Sequence, residues 1–169
     1  MKKVALLVDD LYEEMELWYT KLRLQEAGYE SFTAGPVKGH VYIGKYGYPC
    51  RSDASYAQAL GMDLEGVVVP GGFAPDKIRR AEEALQIVHG LHQKKKLVAF
   101  ICHGGWVAIS AKVLKGKKAT GTVAIKDDLE NAGAIWHDAS VVIDGNLVSS
   151  RTPVDLPDFL KAILGFLGK

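Results

Sequence analysis

The segment Leu97-Val98-Ala99-Phe100-Ile101-Cys102-His103-Gly104-Gly105-Trp106 constrains the fold more than any other stretch of the chain. Five apolar residues of strand-forming bulk run directly into a cysteine, a histidine and two glycines. The following run, Trp106 to Leu114, suits a helix. A strand that breaks this sharply into a helix places the turn residue at a helix N-terminus, where free N–H groups and the positive dipole end favour an anion. A thiolate is such an anion, and cysteines so placed have lowered pKa values. The glycines permit torsions and close approaches that a side chain would obstruct. The pattern is a nucleophile elbow with sulfur in place of the hydroxyl, and it predicts an exposed, reactive Cys102 with a lowered pKa. Free cysteine more often packs as a small buried hydrophobe, so the His-Gly-Gly that follows and the strand-to-helix switch carry this reading.

The rest of the chain repeats the strand–helix alternation. Val4 to Val8 and Gly66 to Val69 are continuous apolar runs, the pattern of strands buried on both faces of a parallel sheet. Glu30 to Ala34 reads as another strand, and Gly35 to Cys50, rich in Gly, Tyr and Val, as a hairpin excursion. Leu11 to Ala27 reads as a helix stopped by Gly28, and Ala81 to Leu91 carries Ala84, Ile87, Val88 and Leu91 at helical spacing. Short strands are expected at Ala119 to Thr122, Ala134 to Trp136, Val141 to Ile143 and Leu147 to Ser149, with Asp144-Gly145-Asn146 turning the last pair. Asp155 is placed to cap a final helix with Pro157 in its first turn. The expected fold class is α/β: one domain over residues 1–169, a flavodoxin-like three-layer sandwich with a mostly parallel sheet and helices on both faces.

The first helix is apolar on two sides. Met15, Trp18 and Leu22 share one face, while Leu17 and Leu24 project nearly opposite. The sheet covers one side, and a second copy of the chain is expected to cover the other. A net charge of +1 offers no footprint for nucleic acid or an anionic membrane. The opening apolar run is too short for a signal sequence or a membrane span, so a cytoplasmic location is expected. Cys50 and Cys102 lie far apart without a C-x-x-C spacing, which argues against a disulfide framework or a zinc site; no metal or cofactor is expected.

Sites in open α/β sheets form at the carboxyl ends of the strands. Three such ends carry unusual residues: Asp9-Asp10-Leu11-Tyr12-Glu13-Glu14-Met15-Glu16, Pro70-Gly71-Gly72-Phe73-Ala74-Pro75-Asp76, and Cys102-His103. Taken singly, Glu16 reads as a solvated helical carboxylate and Asp76 as an N-cap before Lys77 and Ile78, while His103 reads equally as a turn filler. Together with Ile125-Lys126-Asp127-Asp128, Asn131-Ala132-Gly133-Ala134 and Ser149-Ser150-Arg151-Thr152-Pro153-Val154-Asp155-Leu156, these segments resemble the PfpI-type intracellular peptidase family. That family lies within the class I glutamine amidotransferase-like superfamily, with the parkinsonism-associated human protein and glyoxalase or deglycase relatives. The resemblance spans nearly the whole chain.

The resemblance implies Cys102 as nucleophile, Glu16 as a protonated carboxyl touching the sulfur, and His103 as the adjacent histidine. It implies Asp76 as an acidic group that, in peptidase-type oligomers, reaches the histidine from a neighbouring subunit. The N–H groups of Gly72 and His103 become an oxyanion hole, with Gly71, Gly104 and Glu13 beside them at the substrate. The chain departs from its relatives at Gly105, where proline is usual, at Trp106, and at Phe100, where many carry a small residue. Three functions follow as expectations. The first is a cysteine hydrolase acting on peptides or amides. The second is a glutathione-independent glyoxalase or deglycase acting on small carbonyl compounds such as methylglyoxal. The third is a redox-responsive or chaperone-like stress protein with an oxidisable Cys102.

Overall fold

Seven strands run side by side in the order β10-β11-β7-β6-β1-β2-β5 in a computed structural model that describes residues 1–169. In chain order the strands are β1 (Lys3–Leu7), β2 (Glu30–Gly35), β3 (Val41–Ile43), β4 (Pro49–Arg51), β5 (Ala54–Ser55), β6 (Leu64–Val69), β7 (Leu97–Ile101), β8 (Lys118–Ala119), β9 (Ile135–Trp136), β10 (Val141–Asp144) and β11 (Leu147–Ser150). All pairs in the large sheet are parallel except the β10–β11 hairpin at its edge. β3 pairs with β4 and β8 with β9 in two small separate ladders. The helices are α1 (Glu14–Glu26), α2 (Tyr56–Leu60), α3 (Ala74–Ile78), α4 (Glu82–Gln93), α5 (Gly105–Ser110), α6 (Lys126–Asn131) and α7 (Leu156–Leu167).

The continuous apolar runs account for this order. Val4 to Val8, Val67 to Val69 and Leu97 to Ile101 are shielded from solvent on both sheet faces, as central strands of a parallel sheet must be. α1 packs on α7 against one face, while α2, α4 and α5 form the layer on the other. From β1 the chain steps outward to β2, then returns across β1 to β6. Right-handed crossovers therefore put the connecting helices on opposite faces and open a crevice at the carboxyl ends of β1 and β6. α4 buries Ala84, Ile87, Val88 and Leu91, and α7 buries Leu156, Phe159, Leu160, Ile163 and Leu164. Each fully buried side chain of this size adds about 1.5–3 kcal/mol of transfer free energy before entropy is set against it. No helix is long and apolar enough to cross a membrane.

Three local expectations are corrected. The first helix begins at Glu14, not Leu11, because Leu11, Tyr12 and Glu13 are drawn out of the helix by tertiary hydrogen bonds: Phe73 N–H donates to the Leu11 carbonyl and Glu13 N–H to that of Gly71. Of the expected Ala119 to Thr122 strand only Ala119 pairs, together with Lys118, and it does so outside the main sheet. Asp155 does not cap α7 through its side chain; both of its carboxylate oxygens accept from Arg151, at 2.8 and 3.0 Å. On α1 the two-sided pattern stands: Leu17 and Leu24 are buried, while Met15 and Leu22 remain 58% and 56% exposed.

Candidate active site

β7 ends at Ile101, and the next residue turns the chain. Cys102 has φ 59°, in the left-handed region that costs a non-glycine residue about 1–2 kcal/mol. That torsion lifts its side chain out of the sheet plane and starts a single 3-10 turn, Cys102–Gly104, that leads into α5. The turn fits only because its neighbours are small. A Cβ on Gly104 would collide with the Val69 carbonyl oxygen, so β6 and the elbow can touch only at glycine. Gly105 already has helical torsions, φ −55° and ψ −27°, so the elbow has the geometry that proline supplies in relatives. Phe100 fills the buried space below this turn.

The loop after β6 closes on the elbow from one side. Gly72 adopts φ 79°, and a Cβ there would strike the Leu11 carbonyl oxygen and sit 2.7 Å from the Glu13 nitrogen; the loop from β1 lies that close. Tyr12 and Gly72 form an isolated antiparallel bridge that locks the two loops together. The backbone N–H groups of His103 and Gly72 lie near the Cys102 sulfur and lower the thiol pKa, although neither makes a hydrogen bond of full geometry to it. Donors converging on one reactive atom form the arrangement that stabilises developing negative charge.

Glu16, on the first turn of α1, is fully shielded from solvent. Gly71 N–H donates to its Oε2 at 2.6 Å, and Oε1 has no hydrogen-bond partner. The carboxyl faces the Cys102 thiol, which lowers its pKa slightly, although no Glu16–Cys102 hydrogen bond of full geometry forms. Burial dominates and pushes Glu16 from an ordinary 4.5 up to about 8, so it carries a proton at neutral pH. Cys102 reverses the expected direction. Burial first, then the Glu16 carboxylate, pushes the thiol up to about 12, against the opposing pull of the two N–H groups and Lys45. Desolvation outweighs the helix-terminus effect at this thiol. With Glu16 protonated the second of these causes disappears, and an unpaired carboxyl proton becomes available beside the sulfur.

His103 Nδ1 lies 3.5 Å from Sγ, and burial followed by Lys45 lowers the ring's pKa, so it is a neutral base at pH 7. Its ring stands between Phe73 and Trp106, with centroids 6.5 and 5.0 Å away. Cys102, His103, Glu16, Gly71 and Gly72 thus meet at one point. Gly104 packs beneath them. The Glu13 carboxylate caps α1 by accepting from Glu16 N–H at 2.8 Å. Asp76 lies inside α3 rather than at its N-cap, and both its oxygens accept from Arg80, at 2.9 and 3.1 Å; within one chain it does not engage His103.

Lys45 was missed from sequence. It sits at the tip of the β3–β4 hairpin, where its N–H donates to the Tyr12 carbonyl at 2.9 Å. The tip is further held by Glu14 Oε1, which accepts from the Tyr46 N–H at 2.7 Å. Its charge acts on Glu16, Cys102 and His103 together. Nothing local in Gly44-Lys45-Tyr46 marks it, because only the fold-back of the hairpin brings it here.

A family model for the DJ-1/PfpI family matches residues 2–165. The chain belongs to the DJ-1/PfpI family. A protein of Thermococcus kodakarensis named as a deglycase is 42% identical over 165 residues, 98% of this chain and 99% of its own length. A Bacillus subtilis relative, named "Putative cysteine protease YraA", is 37% identical over 166 residues and 98% of each chain. Among solved structures, a two-domain Anabaena variabilis protein containing DJ-1/ThiJ/PfpI-like and ferritin-like domains superposes with a TM-score of 0.96 at 41% identity. The match covers 99% of this chain and 48% of that one. The mostly parallel sheet flanked by helices is the flavodoxin-like sandwich of this family.

Proposed function

We infer that this DJ-1/PfpI protein is a thiol-dependent deglycase, releasing amines from adducts of small 2-oxoaldehydes. The observation that carries it is the half-buried Cys102 sulfur beside His103, two backbone N–H groups and a carboxyl that is protonated at neutral pH. Near relatives named as deglycases over almost the full chain support that substrate class over others.

The chemistry balances without an oxidant. His103 accepts the thiol proton as the sulfur attacks the carbinol carbon of a methylglyoxal–amine adduct. The C–N bond breaks, the departing amine takes that proton, and the product is a hemithioacetal whose hydroxyl faces the His103 and Gly72 N–H groups. A base then moves the proton on that carbon to the neighbouring ketone carbon through an enediol, turning the hemithioacetal into a lactoyl thioester. Glu16, ionisable near pH 8 and next to the sulfur, is suited to this shuttle. Water cleaves the thioester to lactate and restores the thiol.

A cysteine-protease reading is supported by the name of the Bacillus subtilis relative. Thiolate attack on a peptide carbonyl would use the same sulfur and the same two donors. The deciding experiment compares release of free amine from methylglyoxal-treated N-acetyl-lysine with cleavage of a fluorogenic peptide, each with Cys102→Ala as control. Cys102-dependent amine release without peptide cleavage supports the deglycase; the opposite pattern overturns it.

A second copy of the chain is the proposed partner. Met15, Tyr19 and Leu22 on α1 and Tyr48 on the hairpin tip line an exposed apolar groove of about 340 Å³. The same tip carries Lys45, so covering this face would also steady a cation that acts on the thiol. Asp76 is proposed to reach His103 of a neighbouring copy once its pairing with Arg80 is exchanged.

A further inference from the structure

Trp106 also lines a groove of about 590 Å³ between the end of α3, α5 and α6, and neither Cys102 nor His103 lines it. Three cations border it, Arg79, Lys112 and Lys115, against one carboxylate, Asp128. Asp128 is already engaged: its Oδ2 accepts from the Trp106 indole N–H at 2.9 Å. None of the three cations is ion-paired.

Two exposed lysines alone would be a solvated surface. Arg79 is different. It is half-buried, its Nε donates to Ser110 Oγ at 2.9 Å, and its guanidinium carbon lies 5.6 Å from the centre of the Trp106 ring, within cation–π range. The side chain is therefore held in place while its two terminal nitrogens are left free, a preset fork for a carboxylate or phosphate. A fixed guanidinium without a counter-ion, beside two further cations, is an arrangement that selects for negative charge. The remaining wall is mostly apolar, from Ile109, Leu114, Ala132 and the Trp106 face, with Asn131 adding one neutral polar side chain.

We propose that this groove is a second binding site, taking a small molecule that joins a phosphate or carboxylate to an apolar body. The oxyanion sits on the Arg79 fork between Lys112 and Lys115, and the body lies along Trp106. Because Trp106 also stands edge-on to His103, the occupied groove lies one aromatic ring from the candidate active site.

The test follows tryptophan emission of the full chain during titration with phenyl phosphate, with benzoate and inorganic phosphate as parallel arms. A saturable change with phenyl phosphate is expected in the wild type and in Cys102→Ala alike, and it disappears in Trp106→Phe. Arg79→Ala is expected to weaken binding at least tenfold. Lys112→Gly should also weaken it several-fold, and since Lys112 has φ 60°, glycine suits that backbone and the variant folds. Benzoate binding more tightly than phenyl phosphate would assign the anion as a carboxylate, and the reverse as a phosphate. No saturable change in the wild type, or equal affinities in wild type, Arg79→Ala and Lys112→Gly, would overturn the site. Inorganic phosphate binding as tightly as phenyl phosphate would overturn the apolar half of the assignment.

Discussion

Glu16 holds one carboxyl oxygen 2.6 Å from the amide nitrogen of Gly71 and keeps its other oxygen unpartnered inside the protein. An acid in that position is neutral in the folded state and ionised in the unfolded chain over a wide pH range. Its pKa rises from 4.5 to about 8 on folding, so the native state binds the extra proton. The stability this gives is fully present below pH 4.5, declines as pH rises toward 8, and is absent above it; the span is on the order of several kcal/mol. Glu16→Gln cannot ionise. The melting temperature of Glu16→Gln relative to wild type should therefore climb between pH 5 and pH 9. A difference that stays constant with pH would show that Glu16 ionises normally in the fold.

The two cysteines should separate in reactivity. Cys50 is 1% exposed, and burial raises its pKa, whereas Cys102 is partly accessible and is met by two N–H donors and His103. Iodoacetamide at pH 7.5 should label Cys102 at least tenfold faster, as read by peptide mass mapping. Its rate should still rise steeply beyond pH 8, because the thiol pKa is raised rather than lowered. A plateau by pH 7 would mean that the thiolate is stabilised more strongly than the described contacts allow.

Lys45 offers a separate handle on the same groups. As a nearby cation it lowers the pKa values of Glu16, Cys102 and His103 together. Lys45→Met should raise all three. The His103 ring would titrate at higher pH by NMR, and Cys102 alkylation at pH 8 would slow several-fold. A histidine titration unmoved by the substitution would remove Lys45 from the site's electrostatics.

Much of this was legible in the chain because it was local. Val4 to Val8, Val67 to Val69 and Leu97 to Ile101 announce central strands by unbroken apolarity, and Ile101-Cys102-His103-Gly104 marks the elbow by adjacency. What escaped depends on contacts distant in sequence. Leu11 to Glu13 look helical until Gly71 and Phe73 pull them into a bridge. Lys45 is anonymous until the hairpin folds back to Tyr12. The thiol's raised pKa comes from burial and from a carboxyl many residues away, which a helix-dipole argument about residues 102–110 does not contain.

Asp76 tests whether assembly completes the site. Its pair with Arg80 is solvent-exposed and worth less than about 1 kcal/mol, so Asp76→Asn should leave the melting temperature within a degree or two. If its carboxylate orients His103 of another copy, deglycation by the assembled variant should fall at least tenfold, with kcat affected more than KM. An unaltered rate would confine Asp76 to its pairing with Arg80.

The assembly face makes the last prediction. Met15 and Leu22 stand a helical face apart from the buried Leu17 and Leu24, so a charge placed there touches no part of the core. Leu22→Glu should leave the monomer folded while blocking association, since a desolvated carboxylate at an apolar interface costs several kcal/mol. Sedimentation velocity is expected to show a concentration-dependent oligomer for the wild type and a monomer for the variant, with matching circular dichroism. Should the wild type itself sediment as a monomer at micromolar concentration, the exposed side of α1 would need a different partner. The proposed contact between Asp76 and a neighbouring His103 would then lose its source.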